Sequence, residues 1–166
     1  DSGLIKLGAM IGAGVKTVWE GIASGSCAIR PITLIETEGF RCRIAAEVPA
    51  GIVGSGRRSR ADRIALAAAR EALDDAGIDR AERADAALIV GAVGGGMMET
   101  EAWYWQRTRT GAAPMPPALT SCFPSSHADV VGSALGLGGP RETIVTACSS
   151  GAGSPKWRTP RACTEL

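Results

Sequence analysis

Ala86–Val93 reads AALIVGAV, and this run indicates the fold class of the chain more directly than any other. It carries no charged or polar side chain, which is typical of a strand buried on both faces in a parallel sheet. A second β-rich segment, Thr143–Thr146, comes later in the chain, and a predicted helix lies between the two. Strand and helix therefore alternate, and this order predicts an α/β layered fold.

The clearest helix is predicted over Arg60–Ala76. Ser59 is a suitable N-cap, and Asp62 lies in the first turn, where acidic residues are frequent. Gly77 is a suitable C-terminal stop. The many alanines of this segment permit close packing on a sheet.

The other elements follow from shorter patterns of apolar residues, turn formers and caps. They are a helix over 15–22 ending near Gly25, a strand over 40–48 stopped by Pro49, a loop over 51–56, a helix over 97–107, a loop over 111–117, and a helix from His127 to about Leu137 capped by Ser125 or Ser126.

Composition and charge exclude several classes of function. The net charge of +1 offers no electrostatic case for binding nucleic acid or an anionic membrane. No apolar run reaches the roughly 18 residues that a membrane span needs, and Asp1–Leu4 lacks the basic region of a signal peptide. Five cysteines without a C-x-x-C pair favour reduced thiols in a cytoplasmic protein over disulfides or a zinc site. The sequence therefore predicts no metal and no cofactor.

Thr146–Gly151 reads TACSSG and places a cysteine directly after the last predicted strand. A sharp turn at the end of a strand can present a nucleophile. If a helix begins at Cys148, its positive end favours the thiolate, and the Cys148 N–H could donate to a developing oxyanion. Free cysteines are often simply buried, however, and these features alone leave a reactive and a buried cysteine equally favoured.

A longer set of motifs favours the reactive cysteine. Thr146–Ala152 (TACSSGA) resembles the active-site motif of β-ketoacyl-acyl carrier protein synthases and polyketide ketosynthases, which belong to the thiolase superfamily. Further segments resemble the same family in order and spacing over residues 3–152: Gly12–Glu20 with Gly25–Ile32, Arg43–Pro49, Ser59–Arg63 and Leu135–Pro140.

This resemblance implies a fold and a set of site residues. The fold would be the N-terminal half of a thiolase-like αβαβα architecture, truncated after the cysteine. Cys148 would be the acyl-accepting nucleophile and a backbone oxyanion donor. Met97 and Met98 would line the acyl pocket, although packing as ordinary core methionines explains them equally well. No cofactor and no metal are implied.

The resemblance also implies a reaction and partners. The cysteine would take an acyl group from an acyl carrier protein whose phosphopantetheine arm carries acyl or malonyl groups, and decarboxylation of the malonyl thioester would drive condensation. In this family two histidines and a lysine that support condensation lie in the C-terminal half. The enzymes are homodimers in which the strand before the cysteine, here Thr143–Thr146, pairs across the two-fold axis.

The chain departs from the family pattern in two places. Its single histidine, His127, precedes Cys148, and it is expected to be structural or solvent-facing. Residues 153–166 carry Pro155 and Pro160, which break helices, so they are predicted to be a disordered tail outside a half-domain over 1–152. The chain alone is therefore expected to be an inactive fragment. The alternatives are a non-catalytic remnant and an interaction module that binds a ketosynthase or an acyl carrier protein.

Two smaller motifs are weaker. Gly94–Gly96 follows a strand but lacks the spacing and the lysine of a phosphate-binding loop, so nucleotide binding is not predicted. Arg57, Arg58 and Arg60 form a small basic cluster that could contact an acidic carrier protein, although a solvated loop is favoured.

Overall fold

The computed structural model describes residues 14–150. Within them the chain forms two compact units, which divide between Gly54 and Ser55. Residues 1–13 and 151–166 lie outside the described part. Two expectations therefore stay predictions: a half-domain over 1–152 and a disordered tail over 153–166.

The first unit contains two short helices and a two-stranded antiparallel sheet. Its elements are α1 at Val15–Ala23, β1 at Ile29–Pro31, β2 at Ile44–Ala46 and α2 at Ala50–Val53. The helix predicted over 15–22 is confirmed. The strand predicted over 40–48 is confirmed only over Ile44–Ala46, because only these residues pair with β1.

The loop predicted over 51–56 is wrong in its first half. Ala50–Val53 forms a helical turn in which the Gly54 N–H donates to the Ala50 carbonyl at 2.9 Å. Pro49 at the N-cap has a φ of −55°, a value that its ring imposes, so this proline starts a turn of helix as well as ending the strand. Gly54 ends the turn with a φ of +65°.

The second unit carries the parallel strands and the three longer helices. Its elements are α3 at Arg60–Ala76, β3 at Leu88–Gly91, α4 at Met97–Thr110, α5 at Ser126–Leu135 and β4 at Arg141–Ile144, with short 3-10 turns at Glu82–Ala84, Pro117–Cys122 and Ala147–Ser149. The predicted α3 is confirmed at both ends. Helix α5 ends before the predicted Leu137 because Gly136 adopts a left-handed φ of +71°.

β3 and β4 pair in parallel, with Leu88 opposite Arg141 and Gly91 opposite Ile144. The parallel sheet is thus confirmed, but the last strand lies at Arg141–Ile144 instead of at Thr143–Thr146. Parallel pairing needs a long crossover, and α4 and α5 are part of it. The carboxyl ends of both strands consequently lie at the same edge of the sheet.

The core of this unit lies on one face of β3. Leu88 and Val90 alternate onto that face and pack against side chains of α3, α5 and the segment after α5: Leu66, Ala69, Ala128, Val131 and Leu137. Ile89, on the opposite face, is only half-buried, and Val93 beyond the strand is 52% exposed. Within residues 14–150 the core cluster lies on one face of β3. The prediction that Ala86–Val93 is buried on both faces stays a prediction, because the segment expected to cover the second face follows Cys148 and lies outside the described part.

Glycines allow the segment before β4 to approach the segment before β3. A Cβ on Gly138 or Gly139 would overlap the backbone carbonyls of Ala84, Asp85 or Ala86. With hydrogen in that place, the Gly138 N–H donates to the Arg83 carbonyl and the Gly139 N–H to the Ala86 carbonyl, at 3.0 and 3.1 Å. This close approach sets the register with which β4 enters the sheet.

Candidate active site

Cys148 lies in a tight turn, Ala147–Ser149, that Val145 and Thr146 separate from the end of β4. Ala147 has a φ of +51°, and no other non-glycine residue within 14–150 has a positive φ. This left-handed conformation costs an L-residue about 1–2 kcal/mol. It turns the chain sharply just before Cys148, whose side chain is exposed.

Two serines hold this turn through hydrogen bonds to the backbone. The Ser149 hydroxyl donates to the Thr146 carbonyl at 2.7 Å. Ser150 is 3% exposed, and its Oγ accepts from the Thr146 N–H at 2.9 Å and donates to the Ala147 carbonyl at 2.8 Å. Neither the side chain nor the N–H of Cys148 takes part in these bonds, so the backbone is held while the thiol stays accessible.

Within residues 14–150 no α-helix begins at Cys148 itself. Ala147–Ser149 has 3-10 geometry, and Ser150, with φ −53° and ψ −45°, is α-helical. The residues that would continue the helix lie outside the described part of the chain. Activation of Cys148 by a helix dipole therefore stays a prediction.

The loop after β3 adjoins the cysteine turn at the same sheet edge. The Ala92 N–H donates to the Ile144 carbonyl at 3.2 Å, which extends the ladder by one bond. The Ser150 hydroxyl lies 3.5 Å from the Ala92 carbonyl. The two segments that follow the parallel strands are thus tied to each other directly beside Cys148.

Met97 and Met98 begin α4, shortly after this loop. Their exposed fractions are 56% and 40%, so neither is a core residue of the described chain. The structure places them on the segment that leaves the same sheet edge as Cys148. Their contribution to an acyl pocket stays a prediction.

The glycine-rich loop before α4 packs tightly on the turn at Pro117–Cys122. The Gly96 N–H donates to the Ser121 carbonyl. Gly95 has a φ of +53°, and a Cβ on it would overlap the carbonyl oxygens of Ser121 and Cys122. The absence of a side chain at Gly95 therefore permits close backbone contact between this loop and the Pro117–Cys122 turn.

Four buried polar side chains, hereafter the Asp62 cluster, meet at the first turn of α3: Ser59, Asp62, Ser121 and His127, none more than 5% exposed. The Asp62 carboxylate lies 2.7 Å from His127 Nδ1 and accepts from the Ser121 hydroxyl. Burial opposes ionisation of Asp62, but hydrogen bonds from Ser121, His127 and Ser59 outweigh it, so the pKa of this carboxyl lies below its usual value.

The Asp62 cluster is a buried polar arrangement that sequence reasoning missed. The sequence indicates for Asp62 only a place in the first turn of α3, and it predicts that His127 is structural or solvent-facing. The structure buries His127 and gives it a structural partner in Asp62. Within Ser59–Arg63 an acid three residues after an N-cap serine is a local signal for the helix start, but nothing in that segment points to a residue of α5.

Two kinds of feature are absent from residues 14–150. No group of three or more His, Cys, Asp or Glu side chains there could hold a metal ion. No helix there has both the length and the apolar character that crossing a membrane requires.

Comparison with known proteins identifies a family and two curated relatives. The family model described as beta-ketoacyl synthase, N-terminal domain, matches residues 8–154. A protein of Streptomyces cyaneus assigned as polyketide beta-ketoacyl synthase 1 is 36% identical over 156 residues, and the match covers 84% of this chain and 37% of that protein. A 3-oxoacyl-acyl-carrier-protein synthase 2 of Staphylococcus aureus is 32% identical, and the match covers 87% of this chain and 38% of that protein.

A solved structure gives the same result for the fold. The structure described as the ishigamide ketosynthase/chain length factor superposes with a TM-score of 0.70 at 29% sequence identity, covering 84% of this chain and 38% of the other. The thiolase-like α/β fold expected from the sequence is thereby confirmed. The chain spans less than two fifths of the length of each of these relatives.

Proposed function

Because this chain belongs to the β-ketoacyl synthase family, whose N-terminal domain it carries over residues 8–154, we propose that Cys148 is the acyl acceptor of a β-ketoacyl-acyl carrier protein synthase. One observation carries the proposal. Cys148 is exposed on a sharp, serine-held turn at the carboxyl end of a parallel strand, within the TACSSGA motif. Strand ends of this kind present nucleophiles to substrates.

In the first step, the Cys148 thiolate attacks the carbonyl carbon of an acyl thioester. The tetrahedral oxyanion collapses, a new thioester forms on Cys148, and the pantetheine thiolate leaves and takes up a proton. The Cys148 N–H, which the turn's own hydrogen bonds do not use, is the proposed donor to the oxyanion. Covalent catalysis thereby separates acyl transfer from carbon–carbon bond formation.

In the second step, a malonyl thioester loses CO₂ and its carbanion attacks the acyl carbonyl on Cys148. The carbon–carbon bond forms as the carbon–sulfur bond breaks, and the Cys148 thiolate is regenerated. The family's C-terminal half supplies two histidines and a lysine for this step. The product would serve fatty acid or polyketide synthesis.

The proposal includes an acyl pocket at Met97 and Met98. Both side chains are exposed at the start of α4, and that helix follows the same sheet edge as Cys148. A flexible thioether suits the wall of a pocket that accepts an alkyl chain, since it adapts without leaving a polar group unpaired.

The proposed partners are an acyl carrier protein and a second copy of the chain. An acyl carrier protein would deliver the phosphopantetheine-linked acyl and malonyl groups, and Arg57 and Arg58 offer exposed positive charge for an acidic partner. β4 is an edge strand of the sheet formed within residues 14–150, so it can pair with its counterpart across a two-fold axis. A monomer by light scattering at micromolar concentration would contradict the second partner.

A further part of the proposal is that residues 1–166 alone do not complete condensation. The only histidine of the chain is His127, and it is buried against Asp62. Half-exposed apolar side chains such as Val93 and Val145 also suggest that this chain alone is poorly stable. A measurable rate of β-ketoacyl formation by these residues alone would contradict this part of the proposal.

The decisive experiment is acylation of the full-length gene product with an acyl thioester, followed by intact and peptide mass spectrometry. Cys148→Ala should abolish the acyl adduct. Cys122→Ala is the matched control, since Cys122 is also an exposed cysteine of the same unit, and it should leave the adduct in place. Unchanged acylation of Cys148→Ala would contradict the proposed function.

A further inference from the structure

We propose that Glu99 and the Asp62 cluster are positioning residues that hold Met97 and Met98 in place relative to Cys148, and thereby determine which acyl chains Cys148 accepts. This inference rests on the proposed function, because it requires Cys148 to be the acyl acceptor. It adds Glu99 of α4 and the buried polar side chains of the Asp62 cluster to the residues that select the substrate.

The first anchor joins the loop before Met97 to the Asp62 cluster. The Gly96 N–H donates to the Ser121 carbonyl, and the Ser121 hydroxyl donates to the Asp62 carboxylate. Gly96 and Ser121 are both buried, so water does not replace either bond without opening the loop. The position of Gly96 therefore depends on a side chain in the first turn of α3.

The second anchor joins the residue after Met98 to the same end of α3. The Glu99 carboxylate accepts from the Arg60 N–H at 2.6 Å. Arg60 is the first residue of α3, so its N–H has no partner within the helix, and a carboxylate there also meets the positive end of the helix dipole. A charge-assisted bond of this kind is stronger than a neutral one.

Met97 and Met98 lie between these two anchors, with Gly96 on one side and Glu99 on the other. Their side chains are flexible and exposed, but the backbone that carries them is held at both ends. If they form an apolar wall, a small displacement of that backbone lengthens or shortens the space for an alkyl chain. A change of one methylene in such a pocket alters discrimination by roughly tenfold or more.

The test measures Cys148 acylation of the full-length gene product by a short-chain and a long-chain acyl N-acetylcysteamine thioester, as initial rates by intact mass spectrometry. Glu99→Ala removes the second anchor, whereas Glu99→Gln keeps an acceptor oxygen for the Arg60 N–H. Glu101→Ala is the control, because Glu101 is an exposed acid of the same helix. Ser121→Ala, which breaks the link to Asp62, is an independent second variant.

Glu99→Ala should change the long-to-short rate ratio by roughly tenfold, and hydrogen exchange should quicken at the Arg60 and Gly96 amides, the donors of the two anchors. Ser121→Ala should change the ratio in the same direction, while Glu99→Gln and Glu101→Ala should stay close to the unmodified protein. An equal fall for both thioesters, or an unchanged ratio, would overturn this inference and leave the proposed function intact. Absence of Cys148 acylation in the unmodified protein would overturn both.

Discussion

Asp62 and His127 are 65 positions apart in the chain, yet Asp62 Oδ1 and His127 Nδ1 lie 2.7 Å from each other with both side chains almost fully buried. The pair joins the first turn of α3 to the first turn of α5, the two helices that contribute to the core against β3. Because an ionised carboxylate only accepts hydrogen bonds, His127 is the donor. The single histidine of the chain therefore has a structural partner in a buried cluster.

Asp62 should make the stability of the protein depend on pH in the acid range. Its folded-state pKa is lowered, so its contribution is fully present above the pKa of an unfolded aspartate, about 3.9, and is lost as pH falls through the lower folded value. Asp62→Asn should remove that part of the pH dependence and destabilise by about 1–3 kcal/mol, because an amide NH₂ would face a hydroxyl or imidazole donor. Urea unfolding at several pH values measures both effects.

The control for this prediction is Asp75→Asn, which changes an exposed acid of the same helix. It should leave both the free energy of unfolding and its acid dependence nearly unchanged. Equal pH profiles for Asp62→Asn and the unmodified protein would show that the carboxylate of the Asp62 cluster does not titrate as argued.

His127 should matter for folding and not for the reactivity of Cys148. His127→Ala leaves a buried carboxylate oxygen without its donor, which should cost about 1–3 kcal/mol in the free energy of unfolding. His127→Asn keeps an N–H donor and should retain more of the stability. Under native conditions, iodoacetamide should alkylate Cys148 at the same rate in both variants, and a marked slowing would mean that His127 acts on the thiol.

Ala147 should tolerate glycine and reject a β-branched residue. Its φ of +51° costs an alanine about 1–2 kcal/mol, a cost that glycine avoids. Ala147→Gly should therefore leave stability equal or slightly higher, since the gain exceeds or matches the roughly 0.4–1 kcal/mol of added unfolded-state entropy. Ala147→Val should destabilise and slow Cys148 acylation. Thermal unfolding and Cys148 acylation rates measure these effects. If the glycine variant were the less stable of the two, the turn would not be strained.

Alanine substitutions at Gly95 and Gly111 should distinguish the cost of backbone strain from the cost of steric overlap. Both have positive φ values, +53° and +72°, but only a Cβ on Gly95 would overlap neighbouring atoms, the carbonyls of Ser121 and Cys122. Gly111→Ala should lose about 1–2 kcal/mol from strain alone, and Gly95→Ala should lose at least about 1 kcal/mol more from overpacking. Equal losses in urea unfolding would mean that the loop moves away from Ser121 without cost.

Local sequence patterns were sufficient to predict those helices and strands whose ends are fixed by residues within the same element. The ends of α3 follow from the Ser59 cap and the left-handed Gly77, both of which bond to backbone atoms within one turn. The position of Cys148 after a strand likewise follows from a short run. The length of β2 was overestimated because a strand extends only where a partner pairs with it. Its partner β1 is a separate segment, so the residues of β2 do not indicate how far the pairing reaches.

Which faces are covered, and which polar groups meet, was decided by packing between distant segments. An apolar run such as Ala86–Val93 shows that a strand can be buried, but not how many helices cover it, and the described residues place the core on one face. The pairing of Asp62 with His127 arises because α3 and α5 pack on each other against β3. The residue pattern of one helix does not indicate its contacts with the other helix. Hydrophobic periodicity and capping residues reflect only contacts within one or two turns of the chain.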